Sequence, residues 1–399
     1  MLTIEQAGEH MLAAAGQIAG VEDLPTQSAS GRVLAQPVIA QVDVPPLDNS
    51  QMDGYAVRCC DLVTVPATLP VRLRIAAGQG VMRLPEASAA RIFTGAPIPD
   101  GCDAVVMQEA TRVEGDSVVI LQAPQPGEWI RRVGSDIALG TVALAAGQPL
   151  RAQHLGIAAS VGVARLTVVR RPRVALLCTG SELAMPGDPP VPGRIYNSNR
   201  FVLAGLLETL GCSVRDLGII PDQLDATRAA LEDAAASADL IVSTGGVSVG
   251  EEDHVKTALS ALGELHLWRI AMTPGKPLAF GHARQVPFVG LPGNPVASFV
   301  SFVLLVRPFL LRCLGVRDVA PKAVALRADF DRAPDSERRR YLRARLNGAG
   351  GLDLFPNQNS ALLSSVAWAD GLVDIAPGVA VASGQQVRFL FFSELTGPA

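Results

Sequence analysis

Between residues 173 and 295, short apolar runs rich in β-branched residues alternate with stretches of helical periodicity, and this alternation restricts the fold more than any other feature of the chain. Strand-turn-helix units in series predict a mostly parallel sheet with right-handed crossovers, in a three-layer α/β domain. The strand candidates are 174–177, 214–220, 240–242, 266–271 and 286–289. Asn199 opens a helix with Phe201, Leu203, Leu206, Leu207 and Leu210 turned inward, and Gly211 stops it. A second helix spans 225–236.

In such a sheet, ligands sit at the carboxyl ends of the strands. The run 240–253, LIVSTGGVSVGEED, therefore carries particular weight. Gly245 and Gly246 let the backbone take positive φ and approach a ligand without a Cβ in the way. Ser243, Thr244 and Ser248 add short donors, and Glu251, Glu252 and Asp253 follow. Oriented N–H groups in such a turn suit an anion, and carboxylates suit a divalent cation. A tight turn with a solvated acidic helix start would give the same letters, since acids are favoured there anyway. The loop is not a Walker sequence and lacks GxGxxG spacing.

Other strand ends point the same way. Thr179, Ser181 and Glu182 follow one strand and Asp222 another, and the loops Pro-Gly-Lys-Pro (274–277) and Pro-Gly-Asn-Pro (292–295) are rigid turns that aim backbone groups at a fixed place. Asn294 is expected as helix N-cap, with Pro295 in the first turn. Five such loops at one sheet edge favour a ligand site. Only Lys256, Lys276 and Lys322 are lysines among 34 basic residues, so Lys276, held between prolines, is a marked choice. With a net charge of −4 the chain has no general field for nucleic acid, and an anionic ligand must be attracted locally.

The flanking regions read differently. Residues 2–20 predict a helix capped by Thr3 and Gln6, and a helical pattern at 149–161 is expected to sit beside it. Residues 70–125 are β-rich, and Asp53-Gly54 reads as a hairpin turn. Strand candidates at 324–330, 340–346, 352–355 and 387–392 predict a C-terminal β domain, with the Arg338-Arg339-Arg340 run as a solvated strand end or a substrate contact. The expected organisation is a mixed N-terminal domain (1–41 plus 127–168), an inserted β-rich domain (42–126), the α/β domain (169–318) and the C-terminal β domain (319–399). Six cysteines show no ligand spacing, no signal peptide is evident, and the apolar stretch 296–311 is interrupted by Arg307 and Pro308, too short and broken for a membrane span. A cytoplasmic protein without membrane contact is expected.

The combination NSQMDGYA (49–56), RIFTGAPIPDGCDAVV (91–106), STGGVSVGEED (243–253), PGKP (274–277) and GLPGNP (290–295) resembles the molybdopterin molybdotransferases, the MoeA and gephyrin E-domain family. The match runs in order over essentially the whole chain. The resemblance implies an elongated four-domain homodimer whose third domain resembles the molybdopterin-adenylylating proteins. It implies insertion of molybdate into the dithiolene of adenylylated molybdopterin with release of AMP, dependent on a divalent metal such as Mg²⁺. It also implies contact with a molybdopterin adenylyltransferase and with proteins that mature molybdoenzymes.

Carried over by position, the family's functional residues fall on Asp53, Thr94, Glu182, Asp222, Asp253, Lys276, Pro292 and Pro295. Glu182, Asp222 and Asp253 are the implied metal ligands. Ser243, Gly245, Gly246, Ser248, Pro292, Gly293, Asn294, Pro295 and Ser298 are the expected substrate-binding set. Asp53 and Thr94 lie in the inserted domain, and the resemblance places them against the other subunit, so that the site forms at the dimer interface. The chain departs from the family's usual residues at Ser181, Thr273 and Ala297. Two other readings share the α/β domain: a molybdopterin adenylyltransferase and a non-catalytic molybdopterin-binding scaffold.

Overall fold

A computed structural model describes residues 1–246, 254–335 and 337–397. Its central sheet has six strands in the order Ser213–Ile220, Arg173–Thr179, Leu240–Thr244, Val286–Leu291, Pro277–Ala283 and Gly263–Arg269. The first three pairings are parallel and the last two antiparallel. Side chains alternate between the faces, as the strand period of two demands. Leu176, Val242 and Val289 enter one core, while Ala175, Leu177, Ile241 and Phe288 enter the other. Helices cover both faces, giving three layers. The Pro277–Ala283 strand is not among the strand candidates of the sequence; it begins at the proline that closes the Pro-Gly-Lys-Pro turn and contains Gly281. Gly281 is needed there: a Cβ would stand 2.0 Å from the Glu264 carbonyl oxygen of the neighbouring strand.

Helix Pro295–Cys313 crosses one face unbroken. Arg307 and Pro308 do not end it, because the π-turn Phe302–Val306 just before them absorbs the missing proline N–H. It is thus long and apolar enough to cross a membrane, contrary to the sequence reading, but its side chains fill the core instead. Helix Ser198–Thr209 packs Leu203, Leu206 and Leu207 inward, and Leu210 just beyond it is also buried. Phe201, expected inside, is 54 % exposed. The helix is capped by Asn197, not Asn199.

The N-terminal helix is shorter than expected, Ile4–Ala13, although its capping box from Thr3 and Gln6 forms. Its buried residues Ile4, Ala7 and Met11 join the central core beside helix Pro295–Cys313. It does not sit beside helix Ala152–Ser160. That helix packs instead against Val142–Leu144 and the turn Thr26–Ser28, in a separate core around Leu34, Leu150 and Leu166.

The inserted region holds a six-stranded sheet ordered Ala104–Met107, Gly54–Val57, Ala89–Ile92, Ala67–Ile75, Ser117–Ile120 and Thr111–Glu114. Asp53-Gly54 is not a hairpin turn. Gly54 lies inside a strand whose neighbour comes so close that a Cβ would stand 2.0 Å from the Val106 carbonyl oxygen.

The C-terminal sheet closes on itself, because Gly371–Ile375, a strand the sequence reading missed, pairs with both Gln386–Phe391 and Arg339–Leu346. The two-residue strand Met272–Thr273 adds to this sheet by parallel pairing with Arg339 and Arg340.

Candidate active site

Register fixes where the loops meet. Thr179 stands opposite Ile220, Cys178 opposite Thr244, and Thr244 opposite Leu291, so the parallel strands end along one edge. The antiparallel Pro277–Ala283 strand starts at that same edge, with Ala279 opposite Gly290. The loops beyond these ends wall a cavity of about 810 Å³. Among its lining residues are Glu182, Gly245, Gly246, Lys276, Pro292, Gly293 and Asn294, all expected from the sequence.

Close backbone contact holds the floor together. Gly245 has φ 85°, and a Cβ there would lie 2.3 Å from the Thr179 carbonyl oxygen. Gly275 has φ 103°, and a Cβ would meet Met272 at 2.7 Å and the Ser301 hydroxyl at 2.9 Å. Only glycine fits such positions.

Sequence reasoning missed the residue that joins three loops. The Asn199 side-chain amide donates to the Thr244 hydroxyl at 2.9 Å and to the Gly293 carbonyl at 2.7 Å. Thr244 in turn donates to the Pro292 carbonyl at 3.3 Å. Asn199 is the second residue of helix Ser198–Thr209, and because an asparagine at a helix start reads as a cap, nothing in its local sequence marked this role. Asn197 accepts from the Arg200 N–H to cap the helix, which leaves its buried Nδ2 without a hydrogen-bond partner among the described residues. The Thr179 hydroxyl is also buried and unpartnered, and both residues line the cavity. Buried donors left unmade are costly, so these two are poised for a ligand. Asn294 occupies the N-cap position of the following helix but makes no side-chain cap, and it lines the cavity instead.

The charges are few. Glu182 and Lys276 are exposed on the wall, and among the described residues no hydrogen bond or ion pair engages the Lys276 ammonium. Its loop is pinned by the Ile270 N–H, which donates to the Lys276 carbonyl at 2.8 Å. Arg338 is a second cation, half-buried on the wall. It arrives because the pairing of Met272–Thr273 with Arg339–Arg340 carries the C-terminal sheet to the rim. The arginine run is therefore not a solvated strand end. Arg339 pairs with Asp374 at 2.6 Å and with Glu5, and Arg340 is buried. Gln358, Asn359 and Ser360 complete the C-terminal share of the wall. Of the departures from the family pattern, Thr273 and Ala297 line the cavity and Ser181 does not.

Other expected residues lie elsewhere. Ser243 and Ser298 are buried behind the wall with unpartnered hydroxyls, and Pro295 begins the helix. Asp222 follows the edge strand Ser213–Ile220, at the same end of the sheet but exposed and outside the cavity. Ser248 and Asp253 fall outside the described residues. Among the described residues, no three His, Cys, Asp or Glu side chains gather as a ready metal cage.

Asp53 and Thr94 meet each other rather than the cavity. The Thr94 N–H and hydroxyl each donate to the same Asp53 carboxylate oxygen at 2.8 Å, which holds the carboxyl below its ordinary range. Cys178 is buried at a strand end, and burial pushes its thiol up to about 11, with the nearby Asn197 side chain opposing the shift. It is a protonated packing residue, not a nucleophile.

Three family models match in order. Residues 2–162 match the MoeA N-terminal region (domain I and II), 175–312 a probable molybdopterin binding domain, and 325–392 the MoeA C-terminal region (domain IV). The chain is 42 % identical over 317 residues to a molybdopterin molybdenumtransferase of Haemophilus influenzae, covering 79 % of this chain and 78 % of the relative. It is 40 % identical over 379 residues to molybdopterin molybdenumtransferase 2 of Mycobacterium tuberculosis, covering 92 % and 93 %. A crystal structure of a molybdopterin biosynthesis MoeA protein from Pyrococcus horikoshii superposes with a TM-score of 0.78 at 30 % identity, over 98 % of this chain and 99 % of that one.

Proposed function

The chain belongs to the MoeA family, and from that premise we propose the reaction in its specific form: molybdate enters the dithiolene of adenylylated molybdopterin, and AMP leaves. The protein is a molybdopterin molybdenumtransferase of molybdenum cofactor biosynthesis. The adenylyltransferase reading is not favoured, since the similarity runs through the N- and C-terminal regions as well as the α/β domain.

The observation that carries the specific reading is the cavity. It is large enough for a bulky ligand, and Lys276 and Arg338 suit phosphate and molybdate oxygens. The unpartnered Asn197 amide and the glycine-rich strand ends add further donors, and an anion forming there would meet oriented dipoles rather than water. The pterin brings its own sulfurs, so no protein thiol is required.

Mg²⁺ fits this donor set in the usual way for that ion, with one or two carboxylates from the protein and the rest from substrate phosphates and water. Glu182 on the cavity wall would hold it, with Asp222 and Asp253 as the further proposed ligands. When bound, the ion would neutralise phosphate oxygens. Lys276 and Arg338 orient the anionic substrates, and Ser243, Ser248 and Ser298 are assigned to substrate binding with Pro292–Pro295. Asp53 and Thr94 are proposed to complete the site of a second subunit in a homodimer. Support for this comes from their position outside their own chain's cavity. Contact with a molybdopterin adenylyltransferase and with molybdoenzyme-maturation proteins, in the cytoplasm, completes the proposal.

The test is to incubate the purified protein with adenylylated molybdopterin, with and without molybdate and Mg²⁺. AMP release that needs both supports the reading. Consumption of ATP and free molybdopterin would point to an adenylyltransferase, and neither reaction to a scaffold.

A further inference from the structure

A second cavity, of about 340 Å³, shares no lining residue with the first. Three stretches remote in sequence build it: 145–151, the helix and linker from Arg307 to Lys322, and Glu394 near the C-terminus. Four cations line it (Arg151, Arg307, Arg317 and Lys322) against two acids, Asp318 and Glu394. Four minus two leaves a surplus of two positive charges, in a chain whose net charge is −4.

Arg307 is the informative member. It is only 7 % exposed, and among the described residues its Nε is buried without a hydrogen-bond partner and no ion pair or hydrogen bond engages its guanidinium. Burial lowers its pKa, Glu394 opposes that, and Arg151 adds to it. A buried guanidinium kept for structure behaves otherwise, as Arg343 does in the same molecule. Arg343 is fully buried, yet its nitrogens donate to the Ser365 hydroxyl and to the carbonyls of Tyr341 and Asn359. A buried Nε–H without an acceptor is unfavourable, and the rest of the guanidinium faces the cavity, where an anion would meet its charge.

We propose that this cavity binds a tetrahedral oxyanion, free or as the phosphate end of a small ester, held by Arg307 with Arg151, Arg317 and Lys322. Planar guanidinium groups match phosphate-like oxygens, and three arginines in one concavity are a recurring way to hold them. The volume lies at the lower end for small-molecule pockets, so either form of the ligand is accommodated. Because its walls come from three separate stretches, the bound anion ties them together at one point.

The experiment is calorimetric titration of the full-length protein with inorganic phosphate, molybdate and AMP at constant ionic strength. A Lys276→Ala background weakens binding at the first cavity. Saturable binding is expected, and Arg307→Met should weaken it about tenfold or more, the size of a charge-assisted hydrogen bond. The Arg151→Gln/Lys322→Gln double variant, made at exposed positions, should do the same and remains informative if Arg307→Met fails to fold. Binding of phosphate or molybdate identifies a free oxyanion, and binding of AMP alone identifies the ester. No saturable binding of any of the three overturns the proposal, as do isotherms unchanged in the variants.

Discussion

Replacing Lys276 by alanine removes an ammonium that has no partner among the described residues of its own chain, and that fact separates its two effects. Stability should hardly change, because the side chain is exposed and makes no hydrogen bond or ion pair among the described residues. Its loop is held by other means: the Ile270 N–H bonded to the Lys276 carbonyl, and Gly275 seated against Met272 and Ser301. Ligand affinity should fall. A hydrogen bond to a charged group contributes about 1.5–3 kcal/mol, and exposure to solvent puts this one at the lower end. A loss of about 1.5–2 kcal/mol corresponds to roughly ten- to thirtyfold weaker binding of molybdate or adenylylated molybdopterin. Lys276→Arg should restore part of it, since a planar fork does not reproduce a compact ammonium. Added NaCl should shrink the difference between parent and mutant by screening the charge. Calorimetric titration of both ligands, paired with urea unfolding, reads affinity and stability separately. Equal affinities with lowered stability would refute the reasoning and make Lys276 a brace for its loop.

Four further outcomes are expected. Gly245→Ala should destabilise the protein by about 1–3 kcal/mol in urea unfolding, because the new Cβ meets the Thr179 carbonyl oxygen at 2.3 Å and φ is 85°. Asn199→Ala should cost about 1–3 kcal/mol in the same assay and also lower AMP release, since it unties three loops at once. Mixing Asp53→Ala with Asp253→Ala subunits should recover activity absent from either alone, because one site of each mixed dimer escapes both lesions; no rescue would place both residues in one subunit's site. Burial alone would raise the Asp239 pKa, but hydrogen bonds from Arg170 and Arg173 bring it down from 3.8 to about 2. Its contribution to stability is therefore complete above pH 4 and lost as pH falls towards 2, and Asp239→Asn should flatten that part of a denaturation-versus-pH curve.

Local chemistry explains what the sequence revealed and what it did not. The Leu240–Thr244 strand, the Pro-Gly-Lys-Pro turn and the cap position at Asn294 are written in neighbouring letters, so they could be read directly. Asn199, Arg338 and the unpartnered Asn197 amide matter through contacts made across the fold, and no spacing announces these. The proline at Arg307-Pro308 looked like a helix break because the compensating π-turn depends on how that helix packs. The N-terminal helix was legible as a helix, down to its capping box. Its place in the central core was not, because an apolar face says that a helix is buried and not against what.

The two-residue pairing of Met272–Thr273 with Arg339–Arg340 makes the boundary between the α/β domain and the C-terminal sheet run through the cavity rim rather than beside it. The C-terminal unit is therefore not a cassette that can be exchanged freely among relatives. A chimaera joined in the 313–324 linker keeps Lys276 from one parent and takes Arg338, Gln358 and Asn359 from the other. Its rim must then be stitched from two sequences with different histories. Recombination at that seam preserves both folds while mismatching the wall they share.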